Sequence, residues 1–178
     1  MTNDYFNKLV KAFYKVNQDD ITSLSNLLYP CDSAVFVFGN GGSAATAAHF
    51  VQDMNKTLGY NFICLNDNIP TMLAYGNDCG FDTIFRQQLE KLAKPTDKVI
   101  GISCSGNSKN VIEAINYANA LRCITVGFTG FDGGVLKELV KYNIHVPCDD
   151  MQICEDIHLI ITHILLKLKN KDHAGTGL

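Results

Sequence analysis

Five short apolar runs, each followed by a stretch long enough for a helix, constrain this chain more than any other feature of its sequence. They are Ala34–Phe38 (AVFVF), Phe62–Leu65 (FICL), Lys98–Ser103 (KVIGIS), Cys123–Phe128 (CITVGF) and Asn143–Val146 (NIHV). They are apolar without alternation, as expected of strands covered on both faces. Helix candidates lie between them at 44–58, 81–93, 108–120 and 133–141, with a last one at 151–169. Right-handed crossovers then predict an α/β fold, a doubly wound five-stranded parallel sheet flanked by helices. Ahead of the sheet, 4–28 reads as one added N-terminal helix. Tyr5, Phe6, Leu9, Val10, Phe13 and Tyr14 form a wide apolar stripe, continued by Ile21, Leu24, Leu27 and Leu28 until Pro30 stops it. That stripe must pack on the chain's own core or on another subunit.

Composition narrows what such a fold can serve. The length of 178 residues fits one domain, and 47% hydrophobic content supplies a core. We read 1–170 as that domain, with 1–30 as an oligomerisation segment and 171–178 as a flexible polar tail. Fifteen Lys and Arg against eighteen Asp and Glu leave no basic surplus, so nucleic acid is not an expected partner. The most apolar stretch, His158–Leu168, is interrupted by Thr162, His163 and Lys167, and no membrane span is expected. Seven cysteines without a C-x-x-C, behind a start (MTNDYFNKLV) lacking signal-peptide character, point to a cytoplasmic protein.

In open α/β sheets, ligands bind beyond the carboxyl ends of the strands. Gly39-Asn40-Gly41-Gly42-Ser43 follows the first strand and Ser103-Cys104-Ser105-Gly106-Asn107-Ser108 the third, each leading into a helix candidate. Helix-start N–H groups favour an anion, Ser103, Ser105 and Ser108 add hydroxyl donors, and Gly106 allows close backbone approach. Such loops can hold one phosphate monoester without cationic side chains. Neither G-x-x-x-x-G-K-[ST] nor a complete G-x-G-x-x-G is present. Ser and Asn are also ordinary helix caps, so the weight lies in two such loops at neighbouring strand ends rather than in either alone.

Titratable groups gather on two helices. His49 and Asp53, spaced i, i+4, share a face, while Glu155, His158 and His163 lie in the apolar last helix. Two imidazoles and two carboxylates suit a borderline metal such as zinc, and the same groups suit general acid–base work. His158, on an apolar face, reads more simply as a satisfied core histidine. Glu155 and His163 are separated by about 80° of rotation and about 12 Å of rise. For both to reach one ion, a neighbouring subunit must supply one of them or the helix start must be distorted.

The ordered set G-N-G-G-S, A-H-F, G-N-D-x-G-F (Gly76–Phe81), I-S-x-S-G-N-S (Ile102–Ser108), T-G-x-D-G-G (Thr129–Gly134) and E-D-I-H-x-x-x-x-H (Glu155–His163) resembles the SIS (sugar isomerase) family over nearly the whole chain. The nearest branch interconverts sedoheptulose 7-phosphate and D-glycero-D-manno-heptose 7-phosphate, for lipopolysaccharide or capsule heptose. The resemblance implies a flavodoxin-like SIS fold, isomerisation through an enediol, one zinc ion per subunit, and a homotetramer with active sites at subunit interfaces. It implies phosphate binding by Ser43, Ser103, Ser105 and Ser108, with Gly41, Gly42 and Asn107 in the same loops. Asn40 would face the sugar, and Asn77 and Asp78 would contact substrate. Asp53 would be the catalytic base, His163 its partner acid, and His49, Asp53, Glu155 and His163 the metal ligands.

The chain departs from the family at two of these positions and at one nearby, where Asp53, Glu155 and Gln152 stand in place of Glu, Gln and Asp. The shorter Asp53 loses roughly 1.5 Å of reach, and a misplacement of about 1 Å can cost on the order of 100-fold in rate. Glu155 adds a charge, so that with Asp53 it would neutralise a divalent ion. A compensated isomerase is expected. The alternatives are an isomerase of another sugar phosphate, or a non-catalytic SIS protein that binds sugar phosphates or another protein, as in a replication-initiator-binding relative. The retained carboxylate–histidine pair argues against the non-catalytic reading.

Overall fold

Strands that are apolar on both faces need helices on both sides of the sheet, and the chain supplies them. The computed structural model describes residues 2–28 and 33–174, with side chains described as far as residue 170. Strands β1 (Val35–Gly39), β2 (Phe62–Cys64), β3 (Lys98–Ser103), β4 (Ile124–Thr129) and β5 (Tyr142–His145) form one sheet in the order β2-β1-β3-β4-β5. All four pairings are parallel, with Val37 opposite Ile100 and Ile100 opposite Val126. This is the doubly wound, flavodoxin-like α/β arrangement expected, and its winding reverses between β1 and β3.

Alternate strand residues feed two cores. Val35, Val37, Ile100, Ile102, Val126 and Phe128 face helices α2 (Gln18–Leu27), α3 (Gly42–Leu58) and α8 (Met151–Ala174). Phe36, Phe38 and Val99 face the opposite layer, formed by α5 (Ile84–Leu92), α6 (Lys109–Ala120) and α7 (Gly134–Leu139). There Phe38 stacks on Phe85 with ring centroids 4.8 Å apart. Each buried Phe of this kind stabilises the fold by about 1.5–3 kcal/mol.

Three segments differ from the sequence reading. The single helix expected over 4–28 is two, α1 (Thr2–Phe13) and α2, because the Asn17 side chain accepts the Asp19 N–H at 3.0 Å and starts a new helix. The break turns Ala12, Val16, Ile21 and Leu24 together into the core. The expected stop at Pro30 lies outside the described residues. An unanticipated helix, α4 (Ile69–Cys79), follows β2. Asn68 caps it by accepting the Thr71 N–H at 3.1 Å, and Pro70 sits in its first turn. A 3-10 turn, Phe81–Thr83, then precedes α5. At the C-terminus α8 continues through Ala174, into the segment expected to be loose, while residues 175–178 lie outside the described residues. No helix among the described residues is long and apolar enough to cross a membrane.

His158 is the satisfied core histidine that its apolar helix suggests. Its Nε2 lies 3.2 Å from the Thr129 carbonyl, an acceptor only, so Nε2 carries the proton and Nδ1 faces the Cys104 thiol at 3.9 Å. Burial pushes its pKa down to about 4. A histidine in the unfolded chain titrates near 6.5, so folding favours the neutral ring. The resulting stability is complete above about pH 6.5 and is lost as pH falls towards 4, about 3 kcal/mol in all. His158→Gln should flatten the pH dependence of unfolding free energy between those limits in denaturant titrations. A slope equal to wild type would show that this buried ring is not its source.

Candidate active site

The reversal of winding between β1 and β3 opens a crevice at their carboxyl ends, and both expected loops lie there. Gly39 is required in the first loop, since a Cβ would overlap Ser43 Cβ and the Ile102 carbonyl. The Gly39 N–H donates to Asn66 Oδ1 at 3.2 Å, and Asn66 Nδ2 donates back to the Gly39 carbonyl at 3.0 Å. Asn40 and Asn110 exchange side-chain amide bonds of 2.8 and 2.9 Å, fixing the loop to the first turn of α6. Asn66 and Asn110 were missed by the sequence reading. Asn110, two residues beyond the serine motif, was the more discoverable.

In the second loop Gly106 has φ +65° and sits under the Gly133 carbonyl, where a Cβ would collide. Its N–H donates to the Ser103 carbonyl at 2.9 Å, and its carbonyl accepts from the Leu136 N–H at 2.9 Å. Ser103 Oγ donates to Ser108 Oγ at 3.0 Å. The result is a cleft of about 330 Å³ lined by Asn40, Gly41, Gly42, Ser43, Ser103, Ser105 and Ser108. Asn107 faces away, donating to the Ser105 carbonyl at 2.9 Å and accepting the Val135 N–H at 3.2 Å, so it shapes the loop rather than lining the cleft. Glu155 is the one charged residue of the lining.

Helices α3 and α8 lie side by side and run the same way. Glu155 meets Gly42 near their starts, and His163 meets His49 two turns further on. His49 Nε2 and His163 Nε2 are 2.9 Å apart, with Asp53 Oδ2 at 3.5 Å from the first and 3.8 Å from the second. A tetrahedral ion with bonds of about 2.0 Å sets its ligand atoms about 3.3 Å apart. Two imidazoles and a carboxylate at this spacing therefore fit zinc, and both histidine side chains are 46% exposed, which leaves an open approach. Because α8 is helical from Met151, it keeps Glu155 out of this trio within one chain.

Two further expectations meet the geometry differently. Asn77 and Asp78 lie on α4, exposed and bonded to each other at 2.8 Å, and they line neither loop. No residue of α4 is buried. Tyr5, read from the sequence only as part of the apolar stripe, donates its hydroxyl to Asp156 Oδ2 at 2.6 Å and so fastens α1 beside Glu155. That bond chiefly pushes the phenol up to about 12. Gly106→Ala should cost at least about 2 kcal/mol, combining a left-handed backbone with a carbonyl overlap. A loss of thermal stability checks it, and an unchanged melting temperature would contradict the close approach.

The sequence and the fold are matched by known proteins. A family model described as SIS domain matches residues 3–130. The chain is 44% identical over 146 residues to the phosphoheptose isomerase of Geotalea daltonii, covering 79% of this chain and 76% of that protein. It is 37% identical over 169 residues to a probable phosphoheptose isomerase of Thermoplasma acidophilum, covering 90% and 93%. Among solved structures, the phosphoheptose isomerase GmhA from Neisseria gonorrhoeae superposes with a TM-score of 0.88 at 30% identity, over 94% of this chain and 95% of that one. With its serine-lined crevice at the β1/β3 switch point and these matches along most of its length, the chain belongs to the SIS domain family.

Proposed function

We propose that this chain is a phosphoheptose isomerase, converting sedoheptulose 7-phosphate to D-glycero-D-manno-heptose 7-phosphate for lipopolysaccharide or capsule heptose. The observation that carries the reading is the convergence of Asp53 and His163, 3.8 Å apart, along the same helix pair that begins at the phosphate cradle. From Gly42 to His49 along α3 is about 10 Å, a span comparable with an extended sugar phosphate. Phosphate and reacting carbons can thus be held at once, and binding energy from the phosphate serves to orient the carbons.

In this reaction Asp53 takes a proton from C1 of the ketose and returns it to C2. His163 passes a proton between the C1 and C2 oxygens, so the enediol collapses to the aldehyde at C1. Zinc held by His49, Asp53 and His163 would supply Lewis-acid polarisation of the carbonyl oxygen. Glu155 would complete its ligands from a neighbouring subunit, since α8 keeps it from the trio of its own chain.

A homotetramer with active sites at subunit interfaces is supported by apolar surface that one chain leaves uncovered. Phe6 and Val10 on α1 and Tyr14 just beyond it are 61%, 48% and 77% exposed, and Ile69 and Leu73 on α4 are 58% and 68% exposed. Burying α4 in an assembly would carry Asn77 and Asp78 to a neighbour's substrate, and the 1–30 segment would serve oligomerisation. Residues 1–170 would then form one SIS domain. Free cysteines, among them Cys64, Cys104 and Cys154, suit a cytoplasmic location.

Asp53→Ala and His163→Ala should each lower isomerisation of sedoheptulose 7-phosphate by at least about 100-fold, with the circular dichroism spectrum unchanged. Chelation should abolish turnover and added zinc restore it. Near-wild-type turnover in either variant would refute the assignment. A folded, metal-binding wild type inert towards every sugar phosphate would favour the non-catalytic reading.

A further inference from the structure

Thr46, on α3, carries a buried hydroxyl that no described residue partners. A threonine inside a helix ordinarily turns its hydroxyl back onto a carbonyl three or four residues earlier. Thr22 does so, donating to the Gln18 carbonyl at 3.1 Å, and Thr162 donates to the Leu159 carbonyl at 2.8 Å. Thr46 is only 5% exposed, yet its hydroxyl makes no hydrogen bond to any described residue. Every fully enclosed side-chain oxygen and nitrogen among the described residues has a partner, so the Thr46 hydroxyl must open to the outside. It opens to a cleft of about 370 Å³ lined by Gly42, Thr46, His49, Glu155, Asp156 and Leu159, which adjoins the serine cleft at Gly42.

Its place along α3 sets what it can meet. Ser43 and His49 each stand three residues from Thr46, a spacing that makes neighbours on a helix surface. Ser43 lines the serine cleft, and His49 belongs to the trio with Asp53 and His163. Thr46 lies between them, about 4.5 Å of helix rise from each. A ligand that spans cradle and trio therefore passes its middle carbons over this hydroxyl. No Lys or Arg is among the residues lining this cleft, and Glu155 and Asp156 bring carboxylates to it, so a second anionic group is disfavoured there. We propose that Thr46 is a specificity-determining residue that hydrogen-bonds a hydroxyl in the middle of the sugar chain. The cleft then selects a polyhydroxy monophosphate over a phosphate ester whose chain bears no hydroxyls. The inference rests on the phosphate and isomerase readings above and adds what the site recognises between its two ends. A substrate hydroxyl supplies the partner that the protein withholds from Thr46, whereas an alkyl chain would cover it unpaired.

The test compares three ligands on the full chain stripped of metal, each titrated by thermal shift: sedoheptulose 7-phosphate, hexyl phosphate and inorganic phosphate. Thr46→Val removes the hydroxyl and keeps the shape. It should weaken sedoheptulose 7-phosphate by about tenfold, the worth of one hydrogen bond, and leave the other two ligands within about twofold of wild type. Thr46→Ser keeps the hydroxyl and should hold the sugar phosphate within about threefold of wild type. In turnover, Thr46→Val should raise KM and leave kcat nearly unchanged, because a bond to the chain is made in ground state and transition state alike. Circular dichroism verifies the fold, and Thr46→Ala repeats the comparison should the valine variant be unstable. Unchanged sugar-phosphate affinity in both hydroxyl-free variants overturns the proposal, as does an equal loss for all three ligands, which marks a packing role. Those results leave the isomerase reading standing. Selective loss of the sugar phosphate in a protein whose wild type turns over no sugar phosphate upholds the proposal and overturns the isomerase reading. No binding of any of the three ligands by any form overturns cradle and proposal together.

Discussion

The divergence of the crossovers at β1 and β3 is the constraint on which the site depends. Where successive helices pass to opposite faces of a parallel sheet, two neighbouring strand ends are left without a covering connection. Backbone N–H groups at the starts of α3 and α6 point into that gap and have no partner within their own helices. The loop residues are fitted to it by exclusion. Gly39 and Gly106 stand where a Cβ would strike neighbouring atoms, and the Asn40–Asn110 amide pair holds the loops at a fixed spacing. The cradle is therefore a property of the fold, and the serines decorate it.

The second dependence is on a helix pair. Because α3 and α8 run side by side in the same direction, residues at matching distances from their starts become neighbours. One level places Glu155 on Gly42 and the next places His163 on His49, with Asp53 a turn beyond. The pair is held by the first core, where Phe50 and Met54 of α3 pack with Ile157 and Ile161 of α8. His158 pins α8 to the Thr129 carbonyl on β4 from within, while Tyr5 holds it from outside through Asp156. Sliding α8 by one residue would break both pins and separate the two histidines, so the chemistry inherits its precision from packing.

The sheet was legible because burial on both faces leaves continuous apolar runs, and each strand lies within about a residue of its run. The serine loops were legible because Gly and Ser at strand ends have few other reasons to gather. The trio at His49, Asp53 and His163 was legible in parts: i, i+4 spacing put two on one face, His163 stood among the titratable groups of the last helix, and the resemblance joined the three. What failed was local. The break at Asn17 turns on one side-chain cap inside an otherwise helical pattern. Helix α4 carries Gly76 and has no fully buried residue, only Met72 and Tyr75 packing partly on the second core, so neither propensity nor periodicity marked it, although Asn68 with Pro70 was a usable start signal. The tie from Tyr5 to Asp156 spans 151 positions and leaves no pattern in the sequence.

Charge balance gives Asp53 its logic. The serine cradle offers partial positive charge from helix ends and hydroxyls, but no formal cation lines it. A doubly charged phosphate therefore gains most when a dication is bound nearby, and a dication gains most when carboxylates face it. Asp53 keeps a carboxylate on a side chain shorter than Glu, and the packing of α3 on α8 brings it within 3.8 Å of His163.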